Sequence, residues 1–304
     1  LEFQVIDLLG DTTSFENMAV IKDTNDVPKI VSLPDTFSYV DSTLRLVTRA
    51  SDLGKIARYE WSTDGVKFSG TLASDTAFRM PDTTTSNYMV YVRAVDDDGN
   101  ASKVDTIRVI VYGQIVDSRD NQKYKFIKIG TQTWMAQNLN YRNSTGSSDT
   151  VGVCYDYSIA ICTTYGRLYT WAEVMAGHVS STASPSGVQG ICPTGWHVPS
   201  DTEWTILATS TGGEASAGAR LQSKSGWGDL NGTDAYGFSA IPAGFRDYVG
   251  SFDYVGYVAR FWSASEFDAD YAWLRYLGAG SDALSRSLID KKYGFSVRCL
   301  KDLP

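Results

Sequence analysis

The stretch CPTGWHVPSDTEW (192–204) decides how the second half of the chain folds. Ser200 lies three residues before Glu203, and this spacing is a capping box, in which each side chain bonds a free backbone N–H at a helix start. Apolar residues then recur at helical spacing, which predicts a helix through about Thr209. The residues expected on its inner face are Trp204, Leu207 and Ala208.

Outward from this segment, helix signals are few. A second helix is predicted from Arg167 to Met175, with Gly177 as its stop signal. After residue 212 the chain is rich in Gly and aromatic residues and has only short apolar runs. Two short helices among strands and loops predict an α+β domain over residues 114–304.

Residues 28–113 predict an all-β sandwich. Strand-like runs separated by turn residues cover 43–50, 55–62, 76–81, 87–95 and 103–112. Trp61 fits the buried anchor of an immunoglobulin-like sandwich, although no cysteine pair accompanies it. The stretch resembles the immunoglobulin-like and PKD-like modules of bacterial surface proteins. The link to the second domain, residues 112–114, is short and lacks a Pro/Ser-rich spacer, so the domains are expected to lie close together.

Residues 1–27 fit neither domain. The runs FQVIDLLG (3–10) and ENMAVIKD (16–23) predict strands joined by a polar turn. They are interpreted as the end of a preceding module. The alternative is that they pair with a neighbouring subunit's sheet edge, as in strand-addition assembly.

Composition narrows the class of protein. The chain has 304 residues, 43% of them hydrophobic and 20% charged, so it can bury a core. No apolar run approaches the ~20 residues of a membrane helix. The net charge of −8 argues against nucleic acid as a partner. With no initiator Met or signal peptide, the chain is expected to be a mature form or a fragment.

The four cysteines all lie after residue 113. Their even number and the lack of a zinc-finger spacing favour two disulfides in an extracytoplasmic setting. Pairing Cys154 with Cys162 and Cys192 with Cys299 is one of three connectivities, and zinc binding is the alternative to any of them.

Ordered blocks across the second domain match a known family. They are YKFIKIGTQTWMAQNLNY (124–141), CY (154–155), YGRLYTW (165–171), CPTGWHVPSDTEW (192–204), GW (226–227), YGFSAIPAGFR (236–246), FWSAS (261–265) and GFSVRC (294–299). Over about residues 115–301 the chain closely resembles the Fibrobacter succinogenes major paralogous domain. The resemblance implies a C-type-lectin-like fold, related to the formylglycine-generating enzymes, with long loops that carry the ligand surface. It also implies a bridge to the last strand, in agreement with Cys192–Cys299, and a bacterial module that is secreted or exposed at the cell surface.

No catalytic constellation is found in the sequence. The only histidines are His178, expected to cap a helix end, and His197, expected to pack at a helix entry. No cysteine is left over for oxidase chemistry, and no GxSxG motif is present. The Glu residues after 113 are Glu173, Glu203, Glu214 and Glu266, and they form no convincing acid/base pair. The protein is therefore expected not to be an enzyme.

No cofactor is expected either. The run Asp96 to Asn100 could form half of a calcium site, but it is interpreted as a solvated turn. The tripeptides that bind calcium in lectins of the implied fold are missing, since Ser263-Ala264-Ser265 follows Trp262. We therefore do not expect a metal site.

The candidate ligand surface is GFRDYVGSFDYVGYVAR (244–260), where aromatic residues alternate with Gly and Asp. Such residues supply flat apolar faces and hydrogen-bond acceptors, which proteins use to bind rings and partner surfaces. The contacts are assigned to Tyr248, Phe252, Asp253, Tyr254 and Tyr257. The alternative is that these rings pack on the domain itself.

Together these observations favour an extracellular binding or adhesion module. The sandwich would act as a spacer, and the lectin-like domain would bind a glycan, a fibre or a protein. The alternative is a structural subunit of a surface assembly or filament, made of neighbouring copies joined through residues 1–27 and the sandwich edge.

Overall fold

The computed structural model describes strand backbone at Gln4–Ile6 and Thr12–Ser14, and then residues 26–143 and 151–303. Strands account for 39% of the chain and helices for 12%, so the protein is mostly β-sheet. No helix in the described part has the length and apolar character needed to cross a membrane.

The strands of the first 116 residues are β1 (Gln4–Ile6), β2 (Thr12–Ser14), β3 (Lys29–Ile30), β4 (Thr36–Tyr39), β5 (Thr43–Val47), β6 (Ala50–Ser51), β7 (Ile56–Ser62), β8 (Ser69–Thr71), β9 (Asp75–Arg79), β10 (Thr85–Asp96) and β11 (Asp105–Val116). The long strands of this set match the five predicted runs. The predicted strand at 3–10 contains β1, and β1 pairs antiparallel with β2. The strand predicted at 16–23 lies outside the described residues.

The remaining strands are β12 (Lys123–Ile129), β13 (Gln132–Met135), β14 (Trp196–His197), β15 (Ala243–Arg246), β16 (Phe252–Val255), β17 (Val258–Glu266), β18 (Tyr271–Gly278), β19 (Ser285–Asp290) and β20 (Leu300–Lys301). The helices are α1 (Ile159–Tyr165), α2 (Trp171–Met175), α3 (Asp201–Ser210) and α4 (Glu214–Leu221), with a 3-10 turn at Tyr155–Tyr157.

The chain divides into two compact units, and the division does not follow a single cut. The first unit contains residues 1–34, 45–77 and 89–107, and the second contains residues 35–44, 78–88 and 108–304. In the first unit, β7 pairs antiparallel with β8 on one side and with the end of β10 on the other. Trp61 is buried there, as predicted, and so are the alternate residues Val90, Val92 and Ala94 of β10.

The predicted link at residues 112–114 is wrong as a boundary, because β11 runs through it without a break. Its last part pairs with β12, with Gly113 opposite Phe126. A Cβ atom at Gly113 would lie 2.1 Å from the Phe126 ring, so only glycine allows this close pairing. A short Gly-containing segment therefore marks a close contact here, where the sequence predicted a linker.

The second unit contains two sheets. In one, β12 pairs with β13, β13 with β20, and β20 with β14, all antiparallel. The other has the order β16-β15-β17-β18-β19. Strand β17 is buried on both faces, because Phe261 and the next residue, Trp262, belong to different core clusters. Phe261 packs with the rings of Trp204 and Phe238, and Trp262 packs 4.6 Å from Phe295.

The predicted helix at residues 200–209 is confirmed as α3. The capping box of Ser200 and Glu203 is present, and Trp204, Leu207 and Ala208 are fully buried. The buried Arg275 of β18 ties this helix to the sheet, since it forms an ion pair of 3.0 Å with Asp201.

The other helix expectations need correction. The helix predicted at 167–175 begins only at Trp171, where Thr170 and Glu173 form a second capping box. The residues before it bridge to other segments instead, with Tyr169 opposite Phe295. Helices α1 and α4 were not predicted, because α1 carries β-branched residues and contains Cys162, and α4 contains Gly218 and follows Gly213.

Candidate functional site

The predicted ligand segment, residues 244–260, forms strands where the sequence suggested a loop. Strand β15 forms a hairpin with β16, and the turn between them is held by Asp247, whose carboxylate accepts hydrogen bonds from the N–H groups of Val249 and Ser251. Gly244 has a φ of +66°, and a Cβ atom there would lie 2.4 Å from the carbonyl oxygen of Asp253. The hairpin therefore holds its aromatic residues on a defined backbone.

Three of the four predicted rings are exposed to solvent. The exposed fraction is 61% for Tyr248, 61% for Tyr254 and 65% for Tyr257. Phe252 is only half-buried, and Asp253 is exposed. We call these five residues the aromatic surface.

Two rings of the aromatic surface, those of Tyr248 and Tyr254, rest on buried or half-buried rings. Tyr254 stacks on Phe245, with centroids 5.7 Å apart and planes at 14°. Tyr293 lies 5.7 Å from Tyr248 and 6.1 Å from Phe245, so it joins the two. Tyr257 has no ring contact with another described residue. These contacts fix the orientation of Tyr248 and Tyr254 while leaving much of each ring open.

Phe252 belongs to a different group of rings. It lies 5.2 Å from Tyr155 and 5.1 Å from Tyr157. Both tyrosines follow Cys154, whose disulfide with Cys162 closes a segment that ends within α1. Tyr157 is 67% exposed and extends the aromatic surface, although the sequence analysis did not assign it. The signal was available, because a tyrosine three residues after a bridged cysteine lies on a short closed loop.

Both disulfides of the structure have the favoured pairing. Cys154 bonds to Cys162, and Cys192 bonds to Cys299, 107 residues away. The longer bridge joins the segment before α3 to the residue preceding β20, as the family resemblance implied. No free cysteine occurs among the described residues.

A cavity of about 370 Å³ lies beside the buried His197. The Nε2 atom of His197 lies 3.0 Å from the carboxylate of Glu203, and the Nδ1 atom of His197 lies 2.7 Å from the carboxylate of Asp302. Burial lowers the pKa of His197, but the hydrogen bonds and charges of Glu203 and Asp302 outweigh this effect, so the pKa is raised. Glu203 also accepts hydrogen bonds from the N–H groups of Ser200 and Ser186. These groups are therefore engaged in the structure of the helix entry.

The remaining glutamates of the second domain are engaged in the same way. Glu173 closes the cap of α2 and accepts a hydrogen bond from the N–H of Gly152, Glu214 pairs with Arg275, and Glu266 lies 2.7 Å from Lys291. His178, as expected, contacts the end of α2, where its Nδ1 lies 3.0 Å from the carbonyl oxygen of Met175.

The run Asp96 to Asn100 is a turn stabilised by its own carboxylate. Asp96 accepts hydrogen bonds of 2.9 and 2.8 Å from the N–H groups of Asp98 and Asn100. Within residues 26–143 and 151–303, no three His, Cys, Asp or Glu side chains come together as a metal site.

Comparisons with known proteins assign more than half of the chain to a protein family. The model of the Fibrobacter succinogenes major domain family matches residues 127–301, more than half of the chain. No curated protein matches at a significant level. Among solved structures, the fibronectin(III)-like modules of Clostridium thermocellum CbhA share 23% identity at a TM-score of 0.24, over 28% of this chain and 97% of theirs. The D00-D0 domain of intimin shares 20% identity at a TM-score of 0.24, over 36% of this chain and 63% of its own length. The family match shows that the chain belongs to the Fibrobacter succinogenes major domain family.

Proposed function

We propose that this member of the Fibrobacter succinogenes major domain family is a non-catalytic binding or adhesion module of an extracellular or cell-surface protein. The two disulfides support this location, because such bonds persist in oxidising compartments. The sandwich predicted over residues 28–113 acts as a spacer, and the lectin-like domain binds a glycan, a fibre or a protein.

The aromatic surface carries this proposal. Tyr248 and Tyr254 keep most of their area exposed while Tyr293 and Phe245 support them from below. Exposing large rings on a rigid hairpin costs apolar burial, and such residues are enriched where proteins bind rings and partner surfaces. Asp253 adds an exposed carboxylate beside them, which can accept hydrogen bonds.

We also propose that residues 114–304 adopt a C-type-lectin-like fold. The pairing of β20 with β13 and β14, and the bridge from Cys192 to Cys299, support it because they join the start and end of the domain. An experimental structure whose second domain superimposes on no C-type-lectin-like protein would contradict this assignment.

Absence of catalysis is part of the proposal. Both ring nitrogens of His197 and both carboxylate oxygens of Glu203 have hydrogen-bond partners. A general acid or base needs a proton position that faces its substrate. Hydrolysis of a glycan that the protein also binds would overturn this part.

Alanine substitutions in the aromatic surface test the proposal, with a glycan array and insoluble cellulose as probes. Tyr257→Ala removes an exposed ring without ring partners, so we expect affinity to fall about tenfold to a hundredfold and thermal stability to stay unchanged. Phe252→Ala, in the same surface, is the comparison for stability, because its packing on Tyr155 and Tyr157 predicts that this variant loses stability. If every alanine variant binds like the parent protein, the aromatic surface is not the ligand site.

The alternative, a structural subunit, concerns residues 1–27. In this part the structure describes two short strands that pair with each other. Size measurement over a range of concentrations separates the hypotheses, since an assembly subunit gains mass as concentration rises.

A further inference from the structure

Two adjoining openings in the second unit form one polar groove. They have volumes of about 250 and 480 Å³ and share the lining residues Gln122, Asn140, Cys162 and Thr163. None of the five residues of the aromatic surface lines either opening, so the groove is a different site.

The groove has a positive charge in a protein of net charge −8. Its first opening is lined by Lys123, Lys125 and Arg298, and its second by Arg119, Arg142 and Arg167. Asp120 is the only acidic residue that lines it in the described part of the chain. Six cations and one carboxylate create a local potential that attracts anions.

Arg167 has hydrogen-bonding capacity to spare. It is 93% buried, with 7% of its surface exposed, and its Nη1 donates a hydrogen bond of 2.9 Å to the carbonyl oxygen of Gly152. Its Nε has no acceptor among the described residues, and no described carboxylate forms an ion pair with it. A buried cation with an unused donor costs free energy, and an anion bound in the opening that Arg167 lines would offset part of that cost.

Arg298 is fully buried and bonds only to neutral acceptors. Its Nε donates to the side-chain oxygen of Asn138 at 2.7 Å, and its Nη2 donates to the carbonyl oxygen of Ser239 at 2.8 Å. Burial lowers its pKa to about 9, so it keeps its charge at neutral pH. The nearby Asp234 accepts its own hydrogen bonds from Ser239.

The cations nearer to solvent are also available to bind an anion. The Nζ atom of Lys125 lies 3.9 Å from the ring centroid of Phe37. No ion pair with a described residue is formed by Lys123, Lys125 or Arg142. Arg119 differs, because it pairs with Asp117 through two hydrogen bonds of 2.9 and 2.7 Å. The positive charge left for a ligand therefore lies with the lysines and with Arg142 and Arg167.

The remaining lining residues indicate the class of anion. Amides and hydroxyls from Gln137, Asn140, Thr163 and Thr164 suit the hydroxyl groups of a sugar. Nucleic acid is disfavoured, because Tyr112 and Tyr124 are buried and offer no stacking face, and because the whole protein repels a dense polyanion.

We propose that the polar groove binds a short acidic saccharide, whose carboxylates pair with Lys123, Arg142 and the buried Arg167. Arginine and carboxylate groups match in geometry, and the charge-assisted hydrogen bonds they form are stronger than neutral ones. This inference goes beyond the proposed aromatic surface, which neither contributes to the groove nor depends on it.

The test is calorimetric titration of the full chain with tetragalacturonate, in the presence of a chelator and at two salt concentrations. We expect binding that weakens with salt, and no binding of the methyl-esterified tetramer, which keeps the sugar and loses the charge. The double variant Lys123→Gln/Arg142→Gln should bind at least tenfold more weakly, because both side chains are exposed and their loss does not disturb the core. Lys292→Gln, an exposed lysine outside the groove, is the matched control and should bind like the parent protein.

Three results would overturn the proposal. One is no binding of tetragalacturonate at millimolar concentration by the folded parent protein. Another is equal binding of the methyl ester, which would remove the role of charge. The third is tighter binding of a single-stranded oligonucleotide, which would assign the groove to phosphates. Tyr257→Ala should leave tetragalacturonate binding unchanged. A result that contradicts the groove proposal is therefore distinct from one that contradicts the aromatic-surface proposal.

Discussion

Strand β10 and the family region, residues 127–301, bury different kinds of side chain. From Val90 to Ala94 in β10 the buried residues are aliphatic and alternate along the strand. In the family region, fully or nearly fully buried residues include Arg275, Arg298, His197 and Glu203. Charged residues are rarely buried unless they are paired, so each of them needs its own partners. The first region depends on a repeating pattern, and the second depends on individual polar contacts and on disulfides.

The largest expected effect comes from removing the long disulfide of the family region. The double variant Cys192→Ala/Cys299→Ala should lose about 4–5 kcal/mol of unfolding free energy, because the bridge closes 107 residues and restricts the unfolded chain. Urea unfolding followed by circular dichroism measures this loss.

Its matched control is Cys154→Ala/Cys162→Ala. This bridge closes only 8 residues, so the same chain-entropy argument gives about 2.5 kcal/mol. Equal losses from the two variants would show that local packing, and not loop length, sets the contribution of these bridges.

A cavity in β10 should have a smaller effect that does not depend on the disulfides. Val92→Ala removes two buried methyl groups from a fully buried position, which should cost about 2 kcal/mol of unfolding free energy. Val66→Ala, at a position that is 80% exposed, should change it by less than about 0.5 kcal/mol. Urea unfolding with and without a reductant should give the same loss for Val92→Ala. A loss that changes with reductant would mean that the two regions do not stabilise the protein separately.

The same contrast explains what could be predicted from the sequence. The alternation in β10 and the turns around it gave strands close to the observed ones, because a period of two and turn residues are local signals. The capping box at Ser200 was found for the same reason. The start of α2 was misplaced, because Leu168 is at helical spacing from Trp171 and Met175 but bridges to Val153, while Tyr169 bridges to Phe295.

The two candidate sites differ in whether they could be predicted from the sequence. The aromatic surface could be predicted because its residues lie within ten positions of one another. The polar groove could not, because Lys123, Arg167 and Arg298 are up to 175 positions apart and only the fold brings them to one opening. The overall charge of −8 argued against a polyanion such as nucleic acid and gave no sign of a positively charged groove.

The smallest expected effect is a pH dependence that arises from the buried polar network of the family region. The folded protein raises the pKa of His197 above its usual value, because the hydrogen bonds and charges of Glu203 and Asp302 outweigh the effect of burial. The protonated ring therefore stabilises the folded state below the pKa of unfolded histidine, about 6.5, and this contribution is lost as the pH rises through the folded pKa. Between pH 6 and pH 9 the unfolding free energy of the parent protein should fall, and His197→Gln should flatten the decline. The effect is small because half of the Asp302 side chain is exposed and its charge is screened by solvent. His178→Gln replaces the other histidine, which is exposed, and should keep the parent slope. If the slope survives His197→Gln unchanged, the buried histidine does not carry the charge that its two carboxylate partners favour.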